Sequence, residues 1–150
     1  MVGYIVFVED EDSKAPKIEQ MIHDIIQDHY LHWQNQIIVQ RLRNVDELKK
    51  NHEELPDDAK IIYIVDLLME GDNQPKHRID ADIAYIIQQR LRYAYFIIYS
   101  MFTITNYGTE LQNVINQIAI SDQSNRVAQL DRSQKETLKE YIIDFINNII

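Results

Sequence analysis

The chain has 150 residues, of which 15 are Lys or Arg and 24 are Asp or Glu, giving a formal net charge of −9; the length favours one domain with a full-sized core. The acidic balance repels nucleic acid and anionic membrane surfaces, and suits protein partners or a cation drawn to carboxylates. With no cysteine, disulfides and thiolate metal sites are excluded.

Tyr4–Val8 is a continuous apolar run that stops at acids, and reads as a buried strand. The opening Met1–Val8 is too short for a signal peptide and lacks a basic start, and no apolar run approaches a membrane span, so a soluble, cytoplasmic protein is expected. Ser13 is placed to cap a helix in which Ile18, Met21, Ile22, Ile25 and Ile26 repeat at helical spacing as far as about Tyr30. Ile37–Leu42 is a second strand, and Val45–Glu54 a short charged helix with Val45 and Leu48 as its apolar contacts. Ile61–Val65 is a third strand, as β-branched as the first. Met69–His77 is polar, holds Gly71 and Pro75, and reads as a loop. Ile79, Ile83, Ile86, Ile87 and Leu91 mark a helix ending near Arg92, and Tyr95–Tyr99 is a fourth strand. Tyr107–Ile118 is helical, and Arg126–Leu130 is a weak fifth strand. Ser133 with Glu136 forms a capping box for a last helix striped by Leu138, Ile142, Phe145, Ile146 and Ile149.

Strand followed by helix, five times over, predicts an α/β domain with a parallel, doubly wound sheet and helices on both faces. Ligands of such sheets bind beyond the carboxyl ends of the strands. Three of those ends carry residues that handle phosphate or metal: Glu9-Asp10-Glu11 after the first strand, Asp66 after the third and Ser100 after the fourth. Each alone has a plainer explanation, since acids after a strand cap the next helix and Asp or Ser commonly closes a strand. Their conjunction points to one acidic pocket.

Val8-Glu9-Asp10-Glu11, Asp66-Leu67-Leu68-Met69 and Ser100, at successive strand ends, give a chain that resembles the receiver domain of bacterial two-component response regulators. The resemblance spans nearly the whole chain. It implies a flavodoxin-like, five-stranded parallel sheet in the order 2-1-3-4-5, forming one receiver-like domain over residues 1–150 with no separate output domain. Asp66 would be the nucleophile that accepts a phosphoryl group. Mg²⁺, or another divalent cation, would be held by Asp10 and Asp66 directly, by Glu9 through water and by the Leu68 carbonyl. Ser100 would donate to the new phosphoryl oxygen and bias a two-state surface. The partners implied are signalling proteins: a histidine kinase or phosphotransfer protein upstream, an effector downstream, and a second copy in a homodimer. Neither nucleic acid nor membrane is expected. Catalysis would extend only to phosphorylation and dephosphorylation at Asp66.

The chain also departs from that pattern. The family's lysine at the end of the fifth strand falls here on Asp131 or, with a slip of one, on Arg132. The aromatic switch position is Ala128 or Gln129, the residue after the switch hydroxyl is Met101, and Glu70 replaces the proline after Met69. These departures keep open a second reading, a phosphorylation-independent pseudo-receiver that serves as a protein-interaction module. Two further readings are weaker. Asp10-x-Asp12 is similar to the aspartate pair of haloacid dehalogenase-like phosphatases, and His29 with His32 would share a metal only if the first helix continued. No glycine-rich phosphate loop exists. Tyr85, Tyr93, Tyr95, Tyr99 and Tyr107 read as packing, or with Tyr141 and Phe145 as an aromatic partner surface.

Overall fold

The computed structural model describes residues 3–29, 36–65, 76–90, 94–99, 113, 116, 126–131 and 133–148. Within them β1 (Gly3–Val8), α1 (Ala15–His29), β2 (Ile37–Leu42), α2 (Val45–Glu54), β3 (Lys60–Val65), α3 (Lys76–Arg90), β4 (Ala94–Tyr99), β5 (Val127–Leu130) and α4 (Lys135–Asn148) follow one another. Ile61-Ile62-Tyr63-Ile64-Val65 is β-branched or aromatic at every position and buried at every position. That is what a strand covered on both faces requires. The five strands form one parallel sheet in the order β2-β1-β3-β4-β5, the flavodoxin-like arrangement.

Alternation along the strands divides the core in two. Val6, Val8, Tyr63, Val65, Phe96 and Ile98 face one way and pack on Val45 and Leu48 of α2 and on Ile83, Ile86 and Ile87 of α3. Ile5, Phe7, Ile62, Ile64, Tyr95 and Ile97 face the other way, onto Ile18, Ile22 and Ile25 of α1 and Leu138, Ile142 and Phe145 of α4. Each buried aliphatic side chain contributes roughly 1.5–3 kcal/mol, so these two layers hold the sheet between its helices. Among the described residues no helix is long and apolar enough to cross a membrane.

Two capping expectations are corrected. The Glu11 carbonyl accepts the N–H groups of Lys14 (3.1 Å) and Ala15 (3.2 Å), so α1 opens on a backbone turn, without a Ser13 cap among the described residues. The Ser133–Glu136 box does not form: the Ser133 hydroxyl donates back to Asp131, and α4 opens with the Gln134 carbonyl accepting the Leu138 N–H at 3.0 Å. The Asp131 N–H donates to Gln134 Oε1 (3.0 Å), and Asp131 Oδ1 accepts from the Ser133 N–H (2.8 Å) and the Ser133 hydroxyl. These bonds tie Asp131 to Ser133 and Gln134 ahead of α4, and a charged acceptor binds N–H groups more strongly than a hydroxyl does. The third helix starts at Lys76, inside the segment expected as loop. Of the helix expected over Tyr107–Ile118, only Asn113 and Asn116 are described; both are helical and exposed.

Candidate functional site

Because all five strands run in parallel, their carboxyl ends lie along one edge. Val8 pairs with Leu42 on one side and Val65 on the other, Val65 pairs with Ile98, and Tyr99 with Leu130. Glu9 and Asp10 leave this edge from β1 and Asp131 from β5. Asp66 and Ser100 follow directly in sequence on Val65 and Tyr99, the last residues of β3 and β4. Both lie outside the described residues, as do Leu68, Glu70, Met101 and Arg132.

Glu9 is 1% exposed. Its N–H donates to the Leu42 carbonyl at 3.0 Å, extending the β1–β2 pairing by one residue. Its Oε1 accepts the Glu11 N–H at 3.4 Å, which folds the acidic run back on itself. Asp10 is half-buried. A buried carboxylate must be hydrogen-bonded or neutralised, and two neighbouring carboxylates at a strand end are the hard oxygen donors that Mg²⁺ selects. In donor chemistry alone, Glu9 and Asp10 suit such an ion. Among the described residues, no group of three or more His, Asp or Glu side chains converges; the third acid of the expected set is Asp66.

Sequence reasoning missed the arginines beside this pocket. Arg41, near the end of β2, donates to the Glu9 carbonyl from Nε (3.1 Å) and Nη2 (2.8 Å), and from Nη1 to Asp12 Oδ1 (2.8 Å). Arg43 Nη1 donates to the same Asp12 oxygen at 3.0 Å. The hydrogen bond from Arg41 and the charge of Arg43 hold the Asp12 carboxyl below the usual carboxylate range. Asp12 thus ties the β1–α1 turn to β2, which gives it a structural role in place of the second acid of a phosphatase pair. The available signal was Arg41-Leu42-Arg43 at the end of a strand flanking the acidic run.

Asp131 is exposed, and bonds from the Ser133 hydroxyl and N–H lower its pKa. Its carboxylate is taken up by Ser133, two residues on and just ahead of α4. His23 is exposed and lies 3.6 Å from Glu19 Oε1; the His29 side chain and His32 fall outside the described residues. Of the aromatic set, Tyr95 and Tyr99 are core residues and Tyr85 is exposed. Phe145 is buried against the sheet, with its ring 5.6 Å from that of Tyr95. It therefore cannot belong to an exposed partner surface. Tyr93 and Tyr107 lie outside the described residues.

No protein-family model and no curated protein matches the chain. Among solved structures, the chain is similar to a crystal structure of adenylate cyclase from Rhodopirellula baltica, with 10% identity and a TM-score of 0.49, covering 99% of this chain and 93% of that chain. At that identity and TM-score the likeness carries no chemistry across.

Proposed function

We propose that the chain is an atypical response-regulator receiver, a signalling module whose Asp66 accepts a phosphoryl group in the presence of a divalent cation. The single observation that carries this reading is the buried Glu9 beside Asp10 at the carboxyl end of β1, in a 2-1-3-4-5 sheet whose β3 stops immediately before Asp66. An Asp66 carboxylate oxygen would attack the phosphorus of the donor, forming the acyl-phosphate O–P bond as the bond to the leaving group breaks. A divalent cation would supply charge neutralisation at that step. Asp10 and Asp66 would hold it directly, and Glu9 through water. Arg41, by fixing the Glu9 carbonyl, would keep the acidic turn in place. Ser100 would donate to a phosphoryl oxygen and move the chain after β4, changing the surface offered to an effector.

One observation favours the second reading, the phosphorylation-independent interaction module. The residue directly after β5, where the family carries an ammonium, is Asp131, and its carboxylate is bonded to Ser133. Incubation with Mg²⁺ and acetyl phosphate, followed by intact-mass measurement, separates the two. The receiver reading predicts a single phosphoryl adduct, labile to hydroxylamine and absent from Asp66→Asn. An adduct that persists in Asp66→Asn refutes Asp66 as acceptor. No adduct on a protein that still binds Mg²⁺ selects the interaction module.

A further inference from the structure

The face carrying α1 and α4 holds a feature that the acidic rim does not use. A trough of about 490 Å³ runs between the two helices, with Met21 and Ile25 of α1 and Ile143 of α4 in its floor. Its walls are polarised. Lys17, Lys135 and Lys139 stand at the end where both helices begin, and Asp24 and Asp28 at the other. Lys14 continues the basic end into an adjoining concavity of about 210 Å³. In a chain of net charge −9, this gathers four ammonium groups at one place.

The arrangement runs against the helix's own preference. A helix stabilises acids at its N-terminus and bases at its C-terminus. α1 has no acid in its first turn, lysines around its start, and aspartates toward its end. Among the described residues, Lys17, Lys135 and Asp28 have no ion-pair partner, whereas Lys14 and Lys139 are paired within their own helical regions, to Glu11 and Glu136 at 3.2 Å each. A helix that is basic at one end and acidic at the other is complementary to itself when reversed, and a two-fold axis supplies that reversal.

We propose that this trough receives α1 of a second copy of the chain, in a two-fold dimer with the two α1 helices antiparallel. With the axis at Gln20–Met21, Lys17 faces Asp24 of the partner subunit and Lys14 faces Asp28 of the partner subunit. The two pairs are centred half a residue apart along the helix, so one register brings both within reach. Lys135 and Lys139 add positive charge where the partner's acidic helix end arrives, and the opposed macrodipoles attract. Met21 and Ile25 are already largely buried within one chain, so little apolar area remains to be covered. The association is therefore electrostatic and sensitive to salt. The inference does not depend on phosphorylation of Asp66.

Sedimentation velocity on the full chain, with Lys17→Glu and Asp24→Lys, tests it; both positions are exposed, so the fold is retained. The wild type is expected to dimerise at low ionic strength and to dissociate as salt rises toward about 0.5 M. Each variant alone places like charges opposite one another and should dimerise at least about tenfold more weakly. An equimolar mixture of the two variants restores opposite charges at both symmetry-related pairs and should recover the dimer. A monomeric wild type at low salt overturns the proposal. So does a dimer indifferent to either reversal, which would place the contact, or another partner, on a different face. A mixture that stays monomeric overturns the antiparallel register.

Discussion

Arg90 shows most clearly what one side chain contributes to this fold. It is 2% exposed, in the last turn of α3. Its guanidinium donates to the carbonyls of His52 (2.7 Å), Leu55 (2.9 Å) and Pro56 (2.8 Å), and from Nε to His52 Nδ1 (2.7 Å). The C-terminal end of α2 has carbonyls that no helical N–H can reach, and a planar fork serves three acceptor residues at once. The bond from Nε requires an unprotonated His52 Nδ1; burial first, then the charge of Arg90, holds the His52 pKa below its ordinary value of 6.5. Arg90→Leu should cost about 3 kcal/mol by urea denaturation, and Arg90→Lys should recover little of it. Because the folded state binds the His52 proton less readily than the unfolded chain does, this group stabilises the fold above pH 6.5. That contribution is lost as pH falls through 6.5 toward the lower folded value. The pH dependence should shrink in Arg90→Leu without vanishing, since burial is the larger cause. None of this was legible in the sequence. The partners lie 34 to 38 residues before Arg90, and an arginine in a last turn has the same local pattern whether it reaches water or a neighbouring helix. Arg41 escaped for the same reason, with Glu9 at a separation of 32.

The elements themselves were readable wherever the apolar period was uninterrupted. Strands β1 and β3 are continuous β-branched and aromatic runs because both their faces are covered. α2 was marked by Val45 and Leu48, and it occupies Val45–Glu54 as expected. α3 was expected to begin later than it does, because its first turn, from Lys76, carries polar residues that leave no apolar stripe. The α4 cap was misplaced because Ser-x-x-Glu fits the box pattern locally, whereas the Ser133 hydroxyl is taken by Asp131 two residues before it. The cap of α2 offers a clean test at this scale. Asn44 sits extended at the N-cap, and its Oδ1 accepts the Glu47 N–H at 2.9 Å, while the Glu47 carboxylate takes the Arg43 N–H. Asn44→Ala should cost about 1 kcal/mol, or roughly 3 °C in Tm by calorimetry. Asn44→Ser, which keeps an acceptor, should lose less.

For the whole molecule, the sheet order was anticipated from the alternation of strands and helices together with the resemblance, and it is the order found. The half of the candidate site that was legible is the half written into strand ends. Glu9 and Asp10 stand out because an apolar strand stops at them, and the fold brings them to the edge where β3 and β4 also end. The arginines that fix the acidic turn come from β2, and their contribution exists only once β2 pairs with β1. In the receiver reading proposed above, Asp10 and Asp66, from separate strands, grip one divalent cation. Substoichiometric Mn²⁺ in ¹H–¹⁵N NMR tests it directly, since a paramagnetic ion broadens only the amides close to it. The amides of residues 9–11 and 66–67 should broaden together, Mg²⁺ should compete the effect away, and Asp66→Asn should abolish it at both segments. Broadening of residues 9–11 that persists unchanged in Asp66→Asn, or that never reaches residues 66–67, would contradict it.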